Sequence, residues 1–171
     1  AAGEGEAAAA AMETPRPKKR ARPKVLPESA SRTKIRGAVN WWASSRDAKR
    51  KTLPDDVPVA EPAQVAEWLA RGRCRALDAR RPEDRAEAAR IPGVETLTYL
   101  QILTAPEEVA PQIARYRGSP ERTVVFSEQG HVGECGFVAA ILLDVFGLDE
   151  AGVFRLAGGC EAWRRWLSAA A

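Results

Sequence analysis

From residue 57 onward, apolar positions recur with periods that alternate between helical and strand-like. Val65, Trp68 and Leu69 share one face of the segment Glu61 to Ala70, with Pro62 near its start, and predict a short helix. Arg75 to Ala79 predicts a short strand that ends in a polar turn. Pro82 to Arg90 reads as a charged surface helix and Glu95 to Leu100 as a further short strand. Val109, Ile113 and Tyr116 line one face of a predicted helix over Pro106 to Tyr116. Thr123 to Phe126 has the apolar character of a central strand covered on both faces. Gly136 to Phe146 predicts a buried helix closed by Gly147, followed by a last strand over Val153 to Leu156 and a terminal helix over Cys160 to Leu167. Short strands separated by helices imply an α/β fold, a mostly parallel sheet with helices on both faces. In such folds the loops at the carboxyl ends of the strands are the default site.

The first third of the chain lacks this alternation. Residues 1–58 carry 13 Lys/Arg against 7 Asp/Glu, whereas residues 59–171 carry 13 against 16, so the net charge of +3 conceals a basic tail on a mildly acidic domain. The division is drawn as a tail over 1–55, largely disordered or bound to a partner, and a domain over 56–168. Residues 14–27 hold four prolines and six basic residues, which disfavour helix and sheet and repel one another. Lys18, Lys19, Arg20, Arg22 and Lys24 are the expected partner contacts, as a nuclear import signal or on nucleic acid or another acidic surface; the plainer reading is a solubilising leader. Trp41 and Trp42 are costly to leave in water. They pack back on the domain, anchor the tail in a partner, or stack on bases, with packing on protein favoured.

The segment with the layout of an active-site loop is Ser127, Glu128, Gln129, Gly130, His131, Val132 and Gly133, between the apolar strand and the buried helix. Backbone N–H groups in such a loop point inward and cradle an anion. Between Arg122 and Arg155 there is no lysine or arginine, and Glu128 brings negative charge to the mouth of the cradle. A serine attacks only with an adjacent base. A triad of Ser127, His131 and Asp78 would need the histidine turned toward the serine, and a lone histidine in a polar loop reads more simply as a surface residue.

The order of motifs resembles the rhodanese-like domain. Asp78-Ala79-Arg80 is similar to that family's Asp-x-Arg, and Ile91-Pro92-Gly93 to its Ile-Pro-Gly turn. Val124 to Gly133 is similar to its strand and loop, and Leu156 to Trp163 to its closing Leu-x-Gly-Gly-x-x-x-Trp. The resemblance covers residues 56–168 and implies one domain of that fold. Sulfur-transferring members carry a persulfide on a cysteine that opens the loop. Aligned on Phe126 and Gly130, Ser127 takes the cysteine's place and Val132 that of the usual arginine. The resemblance therefore implies a domain whose catalytic cysteine a serine has replaced. It gives Asp78, Arg80, Gly158, Gly159 and Trp163 structural roles around the loop, with a ligand role for Arg80 as the alternative.

Three cysteines without regular spacing argue against a disulfide framework or a metal site, and no cofactor is expected. Cys135, one helical turn past the loop, reads as a packing residue with displaced nucleophile as the alternative. Cys74 and Cys160 read as packing residues. The longest apolar run in the domain is too short to span a bilayer, and residues 1–12 lack the order of a secretory signal. The expected function is a catalytically inactive binding or structural module, held in a larger protein complex by its basic tail. The alternative is a sulfurtransferase that uses a displaced cysteine. The compartment is expected to be intracellular, the nucleus first, with an organelle or a cytoskeletal assembly as alternatives.

Overall fold

Five short apolar strands, each followed or preceded by a helix, satisfy their backbone groups by pairing side by side in one direction. The computed structural model describes residues 25–27, 29–48, 57–129 and 133–171. The strands are β1 (Val59–Ala60), β2 (Cys74–Asp78), β3 (Glu95–Thr96), β4 (Arg122–Phe126) and β5 (Val153–Leu156). They form a single sheet in the order β1-β5-β4-β2-β3, and every pairing is parallel. The helices are α1 (Arg32–Ala48), α2 (Pro62–Ala70), α3 (Tyr99–Thr104), α4 (Pro106–Ala114), α5 (Glu134–Asp144) and α6 (Gly159–Ala170). One face of the sheet is covered by α1, α3, α4 and α5, the other by α2 and α6. The α/β class with a parallel sheet between helical layers is thus the observed one.

β4 lies between β5 and β2, and Val124, Val125 and Phe126 are all buried, which is why its apolar run lacks a polar alternate. α5 follows directly and is buried along most of its length, as its composition demands. Two predicted elements end differently. The strand expected through Leu100 stops at Thr96, because Thr98 caps a helix. Its Oγ1 accepts the Gln101 N–H at 3.1 Å, while the Gln101 side chain accepts the Thr98 N–H at 2.9 Å. The surface helix expected over Pro82 to Arg90 reduces to one 3-10 turn, Pro82–Ala86. The carbonyls of Asp84 and Glu87, which would feed a longer helix, instead accept from the Arg80 guanidinium at 3.3 and 3.0 Å.

Residues 32–48, placed in the tail by the sequence, form α1 and pack on the domain. Ile35, Ala38, Val39, Trp42 and Ala43 recur at helical spacing and join the core beneath α3, α4 and α5. Trp42 is 3% exposed, and its Nε1 donates to Asp144 Oδ2 at 2.9 Å. Its ring stands edge-on to Tyr99 and Phe137, which stack on each other at 4.8 Å. Arg36 adds an ion pair to Glu107. The partner-binding role expected for Trp42 is corrected accordingly: its indole is taken up by its own domain, where it finds both an apolar slot and a hydrogen-bond acceptor. Trp41, one position on, points away and is 61% exposed. Lys18, Lys19, Arg20, Arg22 and Lys24 lie outside the described residues.

Trp42→Ala is expected to lower the unfolding free energy by about 3–5 kcal/mol in urea titrations, whereas Trp41→Ala should stay within about 0.5 kcal/mol. Equal small effects would mean that α1 contributes nothing to the domain.

Candidate functional site

Because all five strands run the same way, their carboxyl ends and the loops that leave them meet at one end of the sheet. Three of these loops converge. Asp78 is the last residue of β2, Ser127 follows the last residue of β4, and the turn 157–158 joins β5 to α6. Ser127 and Glu128 are tied to α6 through their carbonyls, which accept the N–H groups of Cys160 at 2.8 Å and Glu161 at 3.0 Å. These are amides that the first turn of a helix leaves without an internal partner. Gly158 makes the turn possible. Its φ of +67° suits glycine, and an added Cβ would meet the Ala162 Cβ at 2.6 Å. Gly159 also has a positive φ and opens α6. Trp163, 2% exposed, fixes the helix by donating its Nε1–H to the Arg90 carbonyl at 3.1 Å.

Arg80 is the centre of this region. Its Nε and Nη2 bind both oxygens of Asp78, at 3.0 and 2.9 Å, in a two-pronged geometry. The Arg80 backbone N–H also donates to Asp78 Oδ1, at 3.0 Å. Its Nη1 reaches Glu128 Oε2 at 2.9 Å. Both members of the Asp78–Arg80 pair are buried, so each charge persists only because the other neutralises it. The hydrogen bonds to Asp78 raise the already high pKa of Arg80 further.

Glu128 is held from a second side. Arg164 on α6 pairs with its Oε1 and also contacts Glu87 at 3.3 Å. Partial burial works to raise the Glu128 carboxyl, but the bonds from Arg164 and Arg80 outweigh it and hold the group below its ordinary range. The charge expected at the mouth of the cradle is therefore turned into a two-arginine clamp. Sequence proximity concealed this, since neither arginine lies within the loop. The signal available was a Glu beside the loop and an unassigned Arg on a terminal helix four residues past Cys160.

Ser127 Oγ donates to Cys135 Sγ at 3.4 Å. The first turn of α5 thus brings Cys135 against the start of the loop, although the residue is 1% exposed. Gln129 is exposed and Gly133 caps α5. Gly130, His131 and Val132 lie outside the described residues. Among the described residues no group of side chains is arranged to hold a metal ion, and no helix is long and apolar enough to cross a membrane.

The opposite end of the sheet carries an open cavity of about 380 Å³, lined in part by Leu69, Cys74, Arg75, Glu95, Tyr116 and Glu121. Cys74 heads β2, opposite Arg122 at the head of β4. Four strand steps, roughly 13 Å, separate it from Asp78. Its thiol is half-buried and donates to the Arg75 carbonyl at 3.4 Å. Burial pushes its pKa up to about 11, with Arg122 acting in the other direction. Cys160 is raised as well, again chiefly by burial.

Residues 61–165 match the rhodanese-like domain. No curated protein matches the chain significantly. Among solved structures, the chain is similar to Ygr203w of Saccharomyces cerevisiae, described as a homolog of single-domain rhodanese and of the Cdc25 phosphatase catalytic domain. The identity is 19% over 64% of this chain and 80% of that one, with a TM-score of 0.50. It is also similar to a thiosulfate sulfurtransferase from Pseudomonas aeruginosa, at 25% identity over 64% of this chain and 18% of that one, with a TM-score of 0.47. A third similar structure, from Rhodopseudomonas palustris and described as a possible tyrosine phosphatase, has 17% identity over 84% of this chain and 95% of that one, with a TM-score of 0.48.

The match corrects one expectation. The resemblance of the loop implies a domain of this kind whose cysteine a serine replaces. The matched span instead keeps an intact cysteine, Cys74. Ser127 is thus no sign of a lost thiol. An alignment anchored on Phe126 and Gly130 alone covers a single loop and leaves the cysteine at the head of β2 out of account.

Glu128→Gln should remove an acid-sensitive part of the stability. The folded-state pKa of Glu128 is depressed. Its contribution is therefore complete above the ordinary glutamate value of about 4.3 and disappears as pH falls through the lower folded value. In urea titrations the wild type should exceed the variant by no more than about 1 kcal/mol at pH 7, because the carboxylate is partly exposed. The gap should narrow as pH falls below the ordinary glutamate value and close once the carboxyl is protonated in the folded state too. A gap that persisted into acid would show that the arginine clamp does not depend on the carboxylate charge.

Proposed function

The chain belongs to the rhodanese-like domain family, and from that premise we propose that it works as a non-catalytic binding or structural module, anchored in a larger assembly by its basic tail. The observation that carries the reading is the state of the positive charge at the loop. Arg80 is engaged by Asp78 and Glu128, Arg164 by Glu128 and Glu87, and Arg81 by Glu134, so these three guanidinium groups near the cradle face carboxylates of the chain itself. A loop built to receive an anionic substrate would leave such donors open.

The thiols support the same reading. Sulfur transfer and phosphoryl transfer through cysteine both need a thiolate. With burial pushing its pKa up to about 11, Cys74 is held as the neutral thiol at neutral pH. Burial raises Cys160 too. The similar structures include proteins described as sulfurtransferase and as phosphatase, and the fold serves both, so the distinction rests on the side chains present. A second reading, a sulfurtransferase that uses Cys135, is favoured by the 3.4 Å contact of that thiol with Ser127 at the head of α5.

Two measurements test the proposal. Transfer of sulfur from thiosulfate to cyanide should stay at background for the wild type, and alkylation of Cys74 by iodoacetamide should become rapid only above about pH 10. Turnover abolished by Cys135→Ser but not by Cys74→Ser would replace the module with the second reading. Deletion of residues 1–24, which leaves α1 in place, should release the protein from its native complex. Undiminished association would remove the tail as the anchor.

A further inference from the structure

Within the charged network at the carboxyl ends of the strands, one member differs from the rest in exposure. The side chains of Asp78, Arg80 and Arg164 are 5%, 2% and 17% exposed, whereas that of Glu128 is 37% exposed. The two arginines are fixed donors and Glu128 is the acceptor on the solvent side. Its backbone is pinned independently of its carboxylate, because the Ser127 and Glu128 carbonyls hold the Cys160 and Glu161 amides at 2.8 and 3.0 Å. Rotation about the side-chain bonds of Glu128 alone therefore carries the carboxylate into solvent, with the loop backbone in place.

Its departure strands neither arginine. Arg80 keeps the two-pronged pair with Asp78, and its Nη1 keeps the carbonyls of Asp84 and Glu87 at 3.3 and 3.0 Å. Arg164 keeps Glu87 at 3.3 Å through Nε and the Cys160 sulfur at 3.1 Å through Nη1. What Glu128 leaves behind is one N–H on each of two guanidinium groups, Arg80 Nη1 and Arg164 Nη2, which arrive from the end of β2 and from α6 and converge on the two oxygens of one acid. That is the arrangement of a seat for an anion with at least two oxygens, and Glu128 fills it from within. The seat consists of side chains from outside the loop, so it is separate from the loop amides.

We propose that Glu128 is a built-in occupant of an Arg80–Arg164 anion seat, and that a phosphate monoester takes the seat when Glu128 turns out. The competition selects the ligand. A carboxylate from outside offers only what Glu128 already offers, and Glu128 is tethered beside the seat. A phosphate monoester carries close to two negative charges at neutral pH and three acceptor oxygens, so it gains more from two guanidinium forks. The ester is bound and released unchanged, and no bond forms or breaks. The proposal rests on the reading of the domain as a docking module and names the chemistry that the module recognises.

The test uses the full chain and titration calorimetry with a short alanine peptide that carries one phosphoserine. Glu128→Ala vacates the seat and should tighten binding by about fivefold, the most that a partly exposed ion pair can hold closed. Because the expected change is a gain, a folding defect cannot imitate it. Adding Arg164→Gln should cancel the gain and weaken binding by about tenfold or more relative to Glu128→Ala. Arg81→Gln, an exposed arginine at the same end of the sheet, should shift affinity by less than about twofold at physiological salt. The same peptide with glutamate in place of phosphoserine should bind more weakly to every variant. Glycerol phosphate separates the sources: tighter binding of the peptide supports a phosphorylated protein, equal binding a free ester, and both require the seat. No gain in Glu128→Ala would overturn the proposal. So would a gain that survives Arg164→Gln, since it would reflect only the loss of one negative charge. Sulfur transfer from thiosulfate to cyanide would strike the module reading and leave this series of affinities untouched, so the two failures are distinct.

Discussion

One buried guanidinium organises the end of the sheet where three loops meet. Arg80 touches the end of β2 through Asp78, the 3-10 turn through the carbonyls of Asp84 and Glu87, and the loop after β4 through Glu128. A charge in that position is tolerable only if nearly every N–H finds an acceptor, because desolvation costs several kcal/mol. The surrounding backbone is consequently shaped to supply acceptors, and the 3-10 turn is short for that reason. Removal of either member of the Asp78–Arg80 pair would strand the other, a loss of about 3–5 kcal/mol.

The clamp also determines what the loop can do. Glu128 joins Arg80 to Arg164, and the Ser127 and Glu128 carbonyls take the first free amides of α6. Loop, strand end and helix start are thus one connected polar structure. Its positive groups are answered from within the chain, and its helix-end amides are answered by the loop. A group that took up Arg80 Nη1 or Arg164 would have to displace Glu128, which already has both as partners. The Ser127–Cys135 contact lies behind this arrangement, with the thiol buried.

The two ends of the sheet accordingly have different characters. At the carboxyl ends Arg80, Arg81 and Arg164 each meet carboxylates of the chain itself. Around the amino ends of β2 and β4, Arg71, Arg75 and Arg115 meet carboxylates, whereas among the described residues Arg117 bonds to a carbonyl and Arg122 lies over an aromatic ring. The same topology produces both results, since a parallel sheet sends every loop of one kind to one end and every helix terminus of the other kind to the opposite end.

While β1, α1 and α3 emerge only in the folded chain, the sequence by itself determined four of the five strands, the parallel α/β class and the site-bearing loop. Those features follow from local periodicity, from glycine where φ is positive as at Gly158, and from apolar runs such as Val124 to Phe126 that suit only a covered strand. Asp78 and Arg80 were legible through the resemblance of Asp78-Ala79-Arg80 to the family's Asp-x-Arg. Tertiary structure alone decided that Glu128 meets Arg80 and Arg164, which are 48 and 36 residues away. It also decided that Trp42 in a basic stretch reaches Asp144, 102 residues on, and turns part of the expected tail into a core helix. Cys74 shows the same limit: its residue type was plain, but its raised pKa comes from burial that no neighbouring residue in the sequence announces. The physical reason is common to all three. Charge pairing, burial and thiol acidity depend on distances through space, and a one-dimensional pattern records only those between residues on the same strand, turn or helix face.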